Sequence, residues 1–239
     1  MGVLNLVRHG QATPFEKETD RLSPLGELQA GRLADFWIRR QVVFDEVYSG
    51  SLVRQRRTAE IVGERYAEAG LPWPGLQTTA DLNEYDGAGI LALLASELEA
   101  RDAEFCRLVE KARENAATPE RNRHFQRMFE AVMAHWVAGT LTSPQVESWQ
   151  GFRTRVYRAI DGITSRPGSN RRVVVFTSGG PIGATVQRAV NAPPVTGIDI
   201  NWRVRNSSIT EFLFSGGRMT LDTFNATPHL EEPELHSFR

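Results

Sequence analysis

An arginine, a histidine and a glycine follow one another at residues 8–10, directly after the short apolar run Val3-Leu4-Asn5-Leu6-Val7. A run of this length and character forms a buried strand, and in open α/β sheets ligands bind in the crevice at the strand carboxyl ends. Arg8 keeps its charge at any physiological pH and presents a planar fork of donors suited to phosphate or carboxylate. His9 has the chemistry of a nucleophile or a base, and Gly10 permits a tight turn with close backbone approach. Alone, the triplet fits two descriptions: a loop that happens to carry a surface histidine, or a site for an anionic group.

Further segments agree with the second. One is Leu22-Ser23-Pro24-Leu25-Gly26-Glu27-Leu28-Gln29-Ala30, and another is Leu52-Val53-Arg54-Gln55-Arg56-Arg57-Thr58-Ala59, which follows a second strand. Together with the Arg-His-Gly triplet, Leu82-Asn83-Glu84-Tyr85-Asp86-Gly87 and the run Val173 to Ile182, these blocks resemble the histidine phosphatase superfamily, which includes the cofactor-dependent phosphoglycerate mutases. The resemblance runs in order from residue 3 to about residue 190 and implies a three-layer α/β/α fold with a mostly parallel central sheet.

Moving a phosphoryl group needs a nucleophile, positive charge around the non-bridging oxygens and an acid for the leaving oxygen. The resemblance implies His9 as the nucleophile, forming a phosphohistidine that water hydrolyses. Neutral imidazole is nucleophilic near pH 7, which suits the role. It implies Arg8 and Arg54 as the phosphate clamp, with Gly10 beside them, and Glu84 as the proton donor. That donor requires a raised pKa, which partial burial favours and two nearby arginines oppose.

The chain departs from the family at one point. Where the family reads Ser-His-Gly-Gly after the last core strand, residues 177–180 read Thr-Ser-Gly-Gly, so Ser178 replaces a second histidine. Losing one such donor costs on the order of 10²–10³ in rate. The Ser178 hydroxyl and the amides of Gly179 and Gly180 stay available to a phosphate at the start of the following helix. His124, His135, His229 and His236 are each either a substitute for the missing ring or an ordinary packing or surface residue.

The expected function is a metal-independent phosphatase, without cofactor, for a small phosphorylated substrate. Two alternatives remain open. The chain could be a catalytically impaired phosphate-binding or interaction module, in keeping with Ser178. It could be a phosphoglycerate mutase, although Glu84-Tyr85-Asp86 differs from the Glu-Arg stretch common in the mutases. A metallohydrolase is disfavoured because no His-x-His or His-Glu-x-x-His spacing occurs.

The elements that must position these residues alternate as in a parallel α/β sheet. Strands are expected at 3–7, 44–48 and 171–177, helices at about 24–40 and 52–69, and a helix opening at Pro181 and running through Val190. Residues 209–214 and 219–224 alternate around Ser215-Gly216-Gly217-Arg218, a hairpin signal. Between these blocks, about 88–145 is helical and charged. Leu91, Leu94, Leu98, Phe105, Leu108 and Val109 keep helical spacing, and Phe125, Met128, Phe129, Val132, Met133 and Trp136 form a second apolar face. In this family an insertion here forms a cap, within what is otherwise a single domain over 1–239. A helix from Ser148, carrying Trp149, Phe152, Val156, Ile160 and Ile163, returns the chain to the sheet.

Composition bounds the rest. The 28 basic residues nearly balance 29 acidic ones over 239 residues, so no global field points to nucleic acid or an anionic membrane. Cys106 is the single cysteine, which excludes an intramolecular disulfide and a thiolate metal cluster. With no apolar stretch near the ~20 residues of a span and no signal-like start, a cytoplasmic protein is expected. A homodimer is compatible with the sequence, although no stripe or patch specifies one.

Overall fold

The computed structural model describes residues 1–13 and 20–238. Among them are six strands and eight α-helices: β1 (Gly2–Arg8), α1 (Pro24–Arg39), β2 (Glu46–Ser49), α2 (Val53–Glu68), β3 (Leu76–Thr78), α3 (Gly87–Glu99), α4 (Ala103–Glu114), α5 (Arg121–Ala138), α6 (Trp149–Thr164), β4 (Arg172–Thr177), α7 (Gly179–Ala189), α8 (Val195–Asn201), β5 (Ile209–Ser215) and β6 (Arg218–Ala226). The strands form one sheet in the order β3-β2-β4-β1-β5-β6. The first four are mutually parallel, whereas β5 is antiparallel to β1 and β6 antiparallel to β5. The fold is α/β, with a mostly parallel sheet.

Burial follows from the strand pattern. Val173, Val174, Val175 and Phe176 are all fully buried, and successive strand side chains point to opposite faces, so both faces of β4 are covered. On one face, Val7, Val47, Val174 and Phe176 pack with Leu33, Ala34 and Trp37 of α1 and Ala59, Val62 and Tyr66 of α2. The apolar stripes of these two helices therefore fix where α2 begins, and with it Arg54. Ser23 caps α1 by accepting the Gly26 N–H at 3.1 Å, with Pro24 at the first helical position.

Two compact units divide the chain: residues 1–84 with 155–239, and Tyr85–Thr154. The second is the helical section, which forms three helices. Ile90, Leu94, Leu98, Phe105, Val109, Phe129, Val132 and Met133 are among its buried apolar side chains. Tyr85, Trp136, Trp149 and Phe152 form an aromatic chain, with centroids 5.2 Å (Tyr85–Trp136), 5.3 Å (Trp136–Trp149) and 5.4 Å (Trp149–Phe152) apart. Phe125 differs from expectation: it is 38% exposed, stacked on Phe129.

Two boundaries also move. β2 starts at Glu46, not at 44, because Phe44 turns into the core edge-on against Trp37, 4.9 Å between centroids. α7 starts two residues ahead of Pro181, which falls within the first turn, where its missing N–H has no intrahelical partner to lose. The short β3 and α8 carry too little periodicity to stand out in the sequence.

Candidate active site

Parallel pairing sets Arg8 opposite Thr177, so β1 and β4 leave the sheet side by side. The His9 N–H donates to Thr177 O at 2.9 Å, and Ser178 follows beside His9. Antiparallel β5 sets Ile209 opposite Val7, which brings residues 206–208 against the same strand end. There Arg8 N–H donates to Ser208 O (3.2 Å), Ser207 N–H to Arg8 O (3.0 Å) and Asn206 Nδ2 to His9 O (3.1 Å). From the helices, Thr58 Oγ1 accepts the Gly10 N–H at 3.1 Å and Gln29 Oε1 the Gln11 N–H at 2.8 Å. A Cβ on Gly10 would lie 2.3 Å from Gly26 O, and one on Gly26 would lie 2.1 Å from Gln11 O. Both glycines are required for this backbone contact. The loop carrying His9 is thus held by β4, β5, α1 and α2 through its own backbone, independently of any ligand.

His9 is 6% exposed. Its Nδ1 lies 2.7 Å from Gly10 O, and Arg54 Nε donates to its Nε2 at 3.1 Å. A carbonyl only accepts and a guanidinium only donates, so the proton sits on Nδ1 and the Nε2 lone pair faces Arg54. Burial holds the His9 pKa well below its usual value, assisted by the charges of Arg54 and then Arg8, against the bond to Gly10. The ring is therefore neutral at physiological pH. Arg54 is itself held by Asp20, whose carboxylate accepts Nη1 at 2.6 Å and the Val53 N–H at 2.7 Å.

Arg8 Nη1 donates to Val204 O. Glu84 Oε2 accepts the Gly180 N–H at 3.0 Å, which brings this carboxylate to the N-terminus of α7, where Ser178 is the cap and Gly179 the first residue. Arg155 gathers the carbonyls of the segment leading to Glu84: Ala80 (3.2 Å), Asp81 (3.0 Å), Asn83 (2.8 Å) and Glu84 (3.4 Å). The expected site residues lie in one compact unit: Arg8, His9 and Gly10 at the carboxyl end of β1, Ser178 and Gly179 where β4 passes into α7, Arg54 at the start of α2, and Glu84 in the segment after β3.

The remaining histidines divide. In the helical unit, His124 faces Glu120 and His135 faces Thr140, while His236 bonds Leu230 O. His229 is buried 3.0 Å from the Ser207 hydroxyl, behind the backbone of Arg8 and His9. Burial, reinforced by the charge of His236, pushes its pKa down to about 3. Both His9 and His229 thus fold neutral, whereas the unfolded chain protonates each near pH 6.5. Below that pH the unfolded state binds more protons, so stability falls as pH falls, by ~1.4 kcal/mol per pH unit for each ring. Urea midpoints should decrease between pH 7 and 5.5, and His229→Gln should remove one proton's share of that slope. A midpoint independent of pH over this range would show that the rings do not fold neutral.

Several contributors carry no motif. Asn206 and Ser207 become visible only once β5 is known to be antiparallel to β1. Asp20 precedes its partner by over thirty residues, and Arg155 looks like any exposed helix charge. Gln55 had a usable signal: a polar residue on the same α2 face as Thr58, Ala59 and Val62, and fully buried with them.

The histidine phosphatase superfamily (branch 1) model matches residues 4–141 and 120–227. Similar solved structures include a phosphoserine phosphatase mutant from Entamoeba histolytica in complex with phosphoserine. It is 19% identical, with 96% of this chain and 100% of that one covered and a TM-score of 0.62. A phosphoglycerate mutase from Bacillus anthracis is 19% identical, covering 96% and 95%, with a TM-score of 0.62. A mycobacterial glucosyl-3-phosphoglycerate phosphatase complexed with inorganic phosphate is 24% identical, covering 96% and 99%, with a TM-score of 0.60. These likenesses speak for the fold alone. No curated protein matches the sequence.

Proposed function

From its membership of the histidine phosphatase superfamily, to which the chain belongs, we propose that this protein is a metal-independent phosphatase that hydrolyses a small phosphorylated substrate through a phosphohistidine at His9. The observation that carries this reading is the state of His9: proton on Nδ1, lone pair on Nε2, and Arg54 against that lone pair.

Arg8 and Arg54 take the phosphoryl oxygens in charge-assisted bonds. As they do so, Arg54 keeps its proton but redirects its Nε–H hydrogen bond from His9 Nε2 to a phosphoryl oxygen, and the freed lone pair attacks phosphorus in line with the leaving oxygen. Glu84 gives that oxygen its proton as the P–O bond breaks. The resulting carboxylate then takes a proton from water, which attacks the phosphohistidine, breaks the N–P bond and releases phosphate. The helix α7 N-terminus favours the negative charge throughout.

The test is rapid quenching with a labelled phosphomonoester in the presence of EDTA. Acid-labile, base-stable label on the protein is expected, forming and decaying fast enough to account for turnover. Turnover without such label sinks the phosphohistidine. The proton donor has its own signature. Glu84→Gln should slow alkyl phosphates by about 10²–10⁴ and spare p-nitrophenyl phosphate, whose leaving group needs no proton. Equal losses on both substrate types would remove Glu84 from that role.

A further inference from the structure

We propose that Gln55 is a positioning residue for phosphoryl transfer: its amide fixes the Ser178 hydroxyl so that the hydroxyl proton is directed to a phosphoryl oxygen at His9. The proposal rests on the phosphatase reading and deepens it.

Gln55 is fully buried on α2, next to Arg54. A buried primary amide must spend its donors and acceptor well. Its Oε1 accepts the Leu52 N–H at 3.3 Å, and its Nε2 donates to Leu82 O at 3.3 Å and to Ser178 Oγ at 2.7 Å. Rotating the amide by half a turn would set Oε1 against the Leu82 carbonyl, so the orientation is fixed by its partners. Ser178 Oγ is therefore an acceptor toward Gln55, and its own proton goes elsewhere.

No protein group among the described residues takes that proton. Ser178 is completely buried, and its side chain makes no capping bond to α7. A buried hydroxyl proton without an acceptor is costly, and a phosphoryl oxygen supplies one. The place is right, because strand register sets Ser178 beside His9 and the next turn of backbone binds Glu84 through Gly180. Leu82 O, the second acceptor of Gln55, also takes the Thr177 hydroxyl at 2.6 Å. One side chain thereby ties the segment leading to Glu84 and the Ser178 hydroxyl to the residue following Arg54.

A double-mutant cycle tests this. Gln55→Met keeps the volume and removes the hydrogen bonds, and Ser178→Ala removes the hydroxyl. Each should lower kcat on the order of a hundredfold with a smaller change in KM. The double variant should be no worse than either, and Ser178→Thr should restore most of kcat. If Gln55→Met does not fold, Gln55→Glu gives a second reading. Protonated, it still donates to Ser178; ionised, it draws the Ser178 proton back, so kcat gains a pH dependence that Ser178→Ala abolishes. Single variants within about twofold of the parent, or losses that multiply in the double variant, overturn the proposal. If the parent protein forms the labelled phosphohistidine while the losses multiply, the positioning role fails and the phosphatase reading stands. If the parent neither hydrolyses phosphomonoesters nor takes up label, both fail.

Discussion

His9→Ala should lower phosphomonoester hydrolysis by at least ~10⁴-fold, the scale on which losing a nucleophile outweighs what binding groups alone retain. The variant is a clean probe because the loop does not depend on the ring. The carbonyls of Arg8 and His9 and the amides of Gly10 and Gln11 keep their partners on the segment leading into β5, on α1 and on α2. Arg8 and Arg54 also remain, so orthophosphate should still bind and inhibit labelled-ligand uptake. The measurement is hydrolysis of a phosphomonoester panel, phosphoglycerates included, in EDTA, beside phosphate titration of both proteins. EDTA-resistant turnover lost in the variant establishes His9 as essential. Residual turnover within tenfold of the parent removes it as nucleophile. No turnover by either protein, at enzyme levels able to reveal a thousand-fold slowed catalyst, favours the phosphate-binding module.

The site was legible in the sequence where a side chain belongs to a contiguous block with a strict backbone requirement. Arg8, His9 and Gly10 follow a buried strand, and Gly10 with Gly26 meets a contact that tolerates no Cβ. Arg54 is set by the apolar stripe of α2, which must face Val47 and Phe176. Groups whose role comes from pairing distant segments left no trace. Asp20 acts through Arg54, Asn206 through the antiparallel register of β5, and Arg155 through four carbonyls of one turn. Boundaries failed where tertiary packing overrode local signals: Phe44 has strand character but serves the aromatic core, and Pro181 marks the first turn of α7 rather than its start.

Ser178 shows the same limit in sharper form. Read alone, it is a lost histidine. Set beside Gln55, it is one end of a buried hydrogen bond of 2.7 Å, and the missing ring is no longer an empty position. Nothing in a single sequence links residues 55 and 178. The link exists only because α2 and β4 deliver both to one strand end.

Arg54→Gln is the variant expected to do the greatest damage while sparing the nucleophile. Arg54 spans the site, with Nη1 on Asp20 at 2.6 Å and Nε on His9 Nε2 at 3.1 Å. Its loss removes one arm of the proposed phosphate clamp, and arginines that neutralise a transferring phosphoryl group contribute on the order of 10³ or more to rate. A rise in KM should accompany the fall in kcat, because the ground-state phosphate is already dianionic. The pH profile should change as well. After burial, Arg54 is the strongest influence holding the His9 pKa down, so without it that pKa rises toward its ordinary value. His9 is nucleophilic only when neutral, and the acid limb of kcat/KM therefore moves to higher pH. The variant should be further below the parent at pH 5.5 than at pH 8. Arg54→Lys should return part of the acid limb through its charge but little of kcat, since a point ammonium cannot bridge Asp20 and His9 as a planar fork does. A glutamine variant within tenfold of the parent at pH 8 would remove Arg54 from the clamp. An acid limb parallel to the parent's would show that burial alone keeps His9 neutral.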